Sequence, residues 1–376
     1  MFKILKSALT EKSCEGSSER LLQLCFGYFA SYVVTGMLVK IFTDAKPGYP
    51  GMDQVTFLVY STIGGGLVCL VVVLALGWYR LKSYQSTRAL GFTMPAELLY
   101  IIPSGICTAV VIPTTTMMYL LPISVMVAMT IMRSSIIIVS RIIDAIQIHQ
   151  GILHKKVYKE ENIGVVFALI AASTQLFWIK PGDFDFVHNP VAMTILASYI
   201  VAYATRIYIM NYYKNTRPKG MPQDNKGFFA VEQLASSGTM LAVGLVMFFA
   251  VVPSSDASPM AVYQRAFSQP HSLWFWGIVA GMPYGVGAFF SVFLFMFKGR
   301  TATFAGLVNR LTSLVAGTVA TLLLYFCCGG KLPKTADWIS LVFIFIAVHY
   351  LALAERKRTA EMIAEKELAC PPSGQK

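Results

Sequence analysis

Charge is scarce in this sequence. Only 13% of its 376 residues are Asp, Glu, Lys or Arg, while 56% are hydrophobic. A water-soluble domain carries roughly twice that charge, so a soluble enzyme or binding module is excluded as the body of the chain. The seven cysteines (Cys14, Cys25, Cys69, Cys107, Cys327, Cys328 and Cys370) show no ligand spacing and no paired framework, which argues against zinc and against a disulfide scaffold. The glycine-rich loop with Lys that cradles phosphates is missing, so no ATP motor is encoded. No His pair or acid pair falls within an apolar segment, which argues against an intramembrane protease. No Asn-x-Ser/Thr sequon occurs, and residues 1–20 have no apolar core followed by a small-residue cleavage site, so no cleaved signal peptide is expected. The expectation is therefore a protein without enzymatic activity, cofactor or metal.

What the chain has is long apolar runs. Ten of them cover approximately 21–42, 55–78, 96–119, 122–145, 163–179, 191–213, 228–252, 273–297, 301–327 and 338–354. Runs of this length read as bilayer-spanning helices, because lipid offers no partner to an open strand edge. The fold expected is an all-α membrane protein of ten transmembrane helices. With the N-terminus placed in the cytosol, the cytosolic segments hold 21 of the 31 Lys and Arg residues and the opposite side holds six. That bias sets both termini inside. It also accounts for much of the net charge of +12 without invoking nucleic acid. The connection 253–272, rich in Ser, Pro and Ala, reads as an exposed loop, and 355–369 reads as a solvated or membrane-surface helix.

The four remaining basic residues, Arg133, Arg141, Arg206 and Arg310, lie inside spans. A cation at the centre of a span costs about 2.5–3.5 kcal/mol on insertion scales and is functional by default. Ten spans with both ends inside divide into five plus five, the second half inverted. The implied organisation is a cytosolic segment at 1–20, repeats at 21–179 and 180–354, and a cytosolic tail at 355–376. Segment starts recur roughly 170–180 residues apart, and Arg133 precedes Arg310 by 177. Each of these two lies ~14–17 Å from its helix end at 1.5 Å per residue, near the centre of a ~30 Å core. Inverted repeats place a substrate site at that depth between the halves.

At these residues the chain resembles the drug/metabolite transporter superfamily, across about 21–354. Met132-Arg133-Ser134-Ser135-Ile136-Ile137-Ile138 looks like the fourth-helix pattern of its chloroquine-resistance-like and solute-carrier branches. Gly306-Leu307-Val308-Asn309-Arg310 is similar to the Gly-Ala-Leu-Asn-Lys motif of nucleotide-sugar transporters. In that family the motif's Asn and Lys contact sugar and phosphate, which implies those roles for Asn309 and Arg310. The chain departs in the seventh segment, where GDP-mannose transporters carry Phe-Tyr-Asn-Asn and this chain has Phe228-Phe229-Ala230-Val231-Glu232-Gln233.

Two midplane guanidiniums, Arg133 and Arg310, would bind a phosphate or carboxylate by bidentate hydrogen bonds. Thr130, Ser134, Ser135, Asn309, Thr312 and Ser313 add donors. Tyr199, Tyr203, Arg206 and Met210 share one helical face. Tyr203 is a stacking candidate, whereas Arg206 reads as a cation near the inner interface. Tyr284 is a candidate beside the kink expected at Pro283. Glu232 reads as a proton-coupling acid, a counter-ion or a partly solvated acid. Arg141 and Asp144, one turn apart, read as a local ion pair. The function expected is a secondary transporter of an organic anion, a nucleotide sugar or other phosphorylated metabolite, by exchange. A carrier of amino acids, peptides or cations, a non-transporting scaffold and a lipid-phosphate flippase stay open. The expected partners are a small-molecule anionic substrate and the lipid bilayer; a homodimer stays open. The location implied is a Golgi- or ER-type endomembrane in a eukaryote, or the inner membrane in a bacterium.

Overall fold

The computed structural model describes residues 17–44, 48–89, 91–120, 125–154, 156–174, 188–218, 221, 223–329, 332 and 335–369. The segment before residue 17, residues 121–124, the stretch 175–187 that holds the end of the fifth apolar run, Cys14 and Cys370 lie outside them. The helices are α1 (Ser18–Thr43), α2 (Gln54–Ala75), α3 (Leu98–Leu120), α4 (Val125–His149), α5 (Lys159–Ser173) and α6 (Pro190–Asn215). They continue as α7 (Asn225–Phe249), α8 (Pro259–Ser268), α9 (Trp274–Phe295), α10 (Ala302–Cys328) and α11 (Thr335–Ala369). Among the described residues eight of them, α1–α3, α6, α7 and α9–α11, are long and apolar enough to cross a membrane. The architecture is that of an all-helical, multi-pass membrane protein. The other two long helices, α4 and α5, border 121–124 and 175–187.

Helix starts follow the chemistry of their first residues. Asp53 accepts from Val55 N at 2.8 Å and Thr56 N at 3.3 Å to cap α2. Asn189 accepts from Ala192 N at 2.9 Å to cap α6, with Pro190 at the first helical position. Two elements depart from expectation. The basic connection before α3 folds into a hairpin, β1 (Ser86–Ala89) antiparallel to β2 (Phe92–Pro95), with Ala89 opposite Phe92. The connection 253–272 contains α8, because Ser258 caps it and Pro259 stands first.

The helices pack as interleaved pairs. α9 lies against both α1 and α2, and α3 lies against both α6 and α7. α10 packs on α1, α4 packs on α6, α5 packs on α11, and α4 meets α10 at the centre. Two of these crossings are backbone to backbone. On α2 and α9, a Cβ on Gly64 would overlap Ile278 O, one on Gly281 would overlap Ser61 O, and one on Gly285 would overlap Gly65 O. On α3 and α7, a Cβ on Gly105 would press on Glu232 O and the Ala235 methyl. Without a hydrophobic drive between helices in lipid, such close approach supplies the packing.

One end of the bundle is sealed by charge. This is the end where α1 begins, α10 begins and α11 passes. Arg300, 1% exposed, donates from Nε to Glu355 at 2.8 Å and pairs with it again through Nη2. Ser18 Oγ donates to the same carboxylate at 3.0 Å. Arg358 donates to Glu161 at 2.6 Å, and Glu161 also accepts from Thr301 Oγ1 at 2.9 Å. Asp144, fully buried, accepts from Ala302 N at 2.9 Å and Thr303 N at 2.6 Å. It therefore caps α10 rather than pairing with Arg141, whose Nε donates to Asn162 at 3.0 Å. A helix N-terminus with its unpaired N–H groups and dipole is the better site for a buried carboxylate. α11 runs unbroken across residue 354, and Glu355 and Arg358 are docked into the bundle rather than solvated. Away from this end burial falls off. Ala302 to Leu311 are all buried, whereas Tyr325 and Phe326 are exposed, as are Leu241, Val243, Val246 and Phe249 on α7.

The crossings give a direct test. Gly281→Val is expected to lower the unfolding midpoint of the detergent-purified protein by an amount equivalent to about 2 kcal/mol or more, as overpacking does. Gly66→Ala, on α2 with open space around its Cα, should be neutral or stabilising by up to ~1 kcal/mol through helix propensity. Tryptophan fluorescence melts of both variants decide the matter.

Candidate functional site

The site begins with a face of α6. Tyr199, Tyr203, Arg206 and Met210 recur at helical spacing, and all four are buried. Their partners come from other helices. Arg310 on α10 lays its guanidinium carbon 4.8 Å from the centre of the Tyr203 ring. Tyr199 stands 5.5 Å from Tyr203 on α6, and Tyr28 stands 4.6 Å from Tyr32 on α1, centre to centre. All four phenols lie within electrostatic reach of Arg310. A guanidinium over a tyrosine face gains cation–π attraction, worth ~2 kcal/mol or more when desolvated.

Arg310 is nine-tenths buried, yet its Nε and Nη2 have no hydrogen-bond partner among the described residues. These two atoms form the side-on fork that fits a carboxylate or phosphate. Leaving buried donors unsatisfied costs about 1–3 kcal/mol each, more when charged. Asn309, fully buried, accepts from Tyr28 OH at 3.1 Å and donates to Ser291 Oγ at 2.9 Å. It joins α1, α9 and α10 and fixes the turn that carries Arg310.

The second arginine at this centre is Arg206. The sequence places it near an interface, but the structure buries it in a two-pronged pair with Glu232 on α7. Nε donates to Oε1 at 2.8 Å and Nη2 donates to Oε2 at 3.0 Å. Ser104 Oγ donates to the same Oε1 at 2.7 Å and Thr108 Oγ1 at 3.3 Å, both from α3. Glu232 is therefore a counter-ion, held by three helices. The Arg206 guanidinium carbon is also 5.9 Å from the Tyr203 ring centre. One phenol thus stands against two guanidiniums. The same fork of atoms is filled by Glu232 in Arg206 and has no partner among the described residues in Arg310.

Tyr284 on α9 is half-buried, within electrostatic reach of Arg206, and stands 3.4 Å from where a Cβ on Gly65 would be. Arg133 is buried. Ser140, seven residues on, meets Gly306, and Asp144 meets Ala302 and Thr303. Those contacts make α4 and α10 antiparallel and put Arg133 and Arg310 on the faces that meet, since a step of seven returns to the same face. Thr130 belongs to α4, with its side chain outside the described set. Ser134 is half-buried. Thr312 is half-buried and two residues from Arg310, on the far side of the helix. Ser135 and Ser313 donate back to Ile131 O at 2.7 Å and Arg310 O at 2.9 Å, so their protons are engaged locally. Sequence reasoning missed Tyr28, Tyr32, Ser104 and Thr108. Charge balance was the available signal for Glu232, because a buried acid in one span requires a cation from another. A separate cleft of about 310 Å³, lined by Asp53, Thr56, Arg265 and His271, lies between α2 and α8 and shares no residue with this centre.

No family model and no curated protein matches the chain. One solved crystal structure of a protein aligns with 91% of this chain and 99% of its own at 15% identity and a TM-score of 0.49, a level of likeness that carries no argument.

Glu232→Ala would leave Arg206 buried and alone, and should cost about 3–5 kcal/mol. Glu232→Gln should cost less, and the double variant Arg206→Ala/Glu232→Ala should regain part of the loss. Unfolding of the wild type, Arg206→Ala, Glu232→Ala and the double variant under matched conditions closes the cycle; additive single losses would show that the two residues are energetically independent.

Proposed function

We propose that this chain is a secondary transporter, an exchanger of an organic anion such as a nucleotide sugar or another phosphorylated metabolite. The single observation that carries this reading is the Arg310 fork: a buried pair of donors among four tyrosines, without a hydrogen-bond partner among the described residues. An oxyanion would satisfy Nε and Nη2 together, and the phenols would supply hydroxyl donors and a stacking surface. Without such a ligand the buried cation resists reorientation, so return with a second anion in place is favoured, hence exchange. Tyr203, Tyr284 and Arg133 line the same centre in this reading, and Asn309 positions Arg310.

In the same reading α1–α5 and α6, α7, α9, α10 and α11 are two inverted repeats and give ten spans. Support comes from the neighbour pairs, which map onto each other when the halves are exchanged: α1 with α9 becomes α6 with α3, α2 with α9 becomes α7 with α3, and α1 with α10 becomes α6 with α4. Tyr28 and Tyr32 lie 171 residues before Tyr199 and Tyr203. The exchange that takes Arg310 to Arg133 would set Arg133 against Tyr199 and Tyr203, as Arg310 faces Tyr28 and Tyr32. The sealed end is then cytosolic, by its Lys and Arg, and the structure is the state closed on that side. A carrier of amino acids or peptides is the second reading, because a carboxylate has the same two-oxygen shape that the fork fits.

Uptake of labelled UMP and UDP-glucose into proteoliposomes tests the proposal. Preloading with unlabelled compound should stimulate wild-type uptake strongly. Arg310→Gln should cut it by roughly tenfold to hundredfold, the loss expected for a bidentate charged contact of ~1.5–3 kcal/mol, and Arg310→Lys should fall between. Uptake equal in empty and loaded vesicles would refute exchange, and competition by free amino acids instead of phosphorylated compounds would favour the second reading.

A further inference from the structure

The two guanidiniums against Tyr203 offer the same edge in different states. Arg206 has both atoms of its fork on Glu232, and Arg310 has neither atom of its fork on a described residue. Glu232 is thus an internal anion at one half of a two-cation site. We infer that a substrate with two anionic groups takes both forks, displacing Glu232 from Arg206, and that Glu232 takes up one proton as it is displaced. The inference rests on the proposed anion site and assigns its substrate class and its coupling.

The physical argument is the expense of a lone buried charge. Glu232 is fully buried, so withdrawal of its cation leaves an uncompensated carboxylate in low dielectric, which is strongly disfavoured. Protonation removes that charge. The proton comes from solvent and goes to a carboxyl oxygen of Glu232. Ser104 and Thr108 already hydrogen-bond Oε1 and can turn their hydroxyls to accept from it instead. One negative charge of the substrate replaces one of the protein at Arg206, so each ligand is bound with one proton. The titratable and charged groups facing Glu232 are Arg206 and Tyr203 on α6, Cys107 on α3, Tyr284 on α9 and, beyond Tyr203, Arg310 on α10. From the other helices packed on α7, Cys69 of α2 donates to Gly285 O and Tyr263 of α8 to Gly244 O, away from it. Glu232 is the acid at this centre that is tied to a displaceable cation.

The test uses the purified full-length protein in detergent and two ligands that do not titrate near neutrality, UDP-glucose and ethane-1,2-disulfonate. Calorimetry in two buffers of different ionisation heat counts protons taken up on binding. For the wild type, close to one proton per ligand is expected, with affinity rising about tenfold per unit fall in pH where uptake is complete. Glu232→Gln should bind with no proton uptake and no pH dependence. Zero uptake by the wild type overturns the inference even if Glu232→Gln fails to fold. Binding that requires Arg310 but takes up no proton leaves the anion site standing and removes the coupling. If neither ligand binds, the anion site itself fails, and the coupling with it.

Discussion

The pair between Arg206 and Glu232 is the interaction on which the centre of this protein depends. It is the place where α3, α6 and α7 share one carboxylate, and it fixes the height at which Tyr203 stands against Arg310. Lipid around the bundle gives none of these groups an alternative partner. Each buried charge must therefore be matched inside the protein or by whatever the protein binds. Glu232 meets that requirement for Arg206. Among the described residues nothing meets it for the fork of Arg310, and the tyrosines soften that deficit without removing it.

The packing around this centre obeys a second constraint. Helices that cross backbone to backbone need a residue without a Cβ at the crossing, and Gly281 and Gly105 supply it on α9 and α3. α9 packs on both α1 and α2, and α3 packs on both α6 and α7. The charges at the sealed end act differently. Arg300 with Glu355, Arg358 with Glu161, and Asp144 at the start of α10 tie the helices together at that end.

Much of the plan was legible in the residues. Apolar run lengths located the helices, because crossing a bilayer demands about twenty apolar residues whatever the fold. The repeat spacing of 3.6 put Tyr199, Tyr203 and Arg206 on one face, and Arg310 stood out as a cation inside a span. Spacing along one helix does not say which other helix that face meets. Hence Arg206 read as an interface cation, although its partner lies on α7, 26 residues away. Asp144 read as the partner of Arg141, one turn away, although the free N–H groups of α10 lie closer to it in space. Tyr28 and Tyr32 went unnoticed in the sequence because their place at the site comes from Asn309 and Arg310, 281 residues away in the case of the Tyr28 bond.

By itself the sequence determined that this is a multi-pass helical membrane protein with charges buried at its centre. Hydrophobicity and helical period are local properties, and local properties need no partner to be read. Tertiary structure alone decided which charges cancel and which is left over. That outcome depends on distances of about 3 Å between side chains from different helices, and no spacing along the chain encodes them.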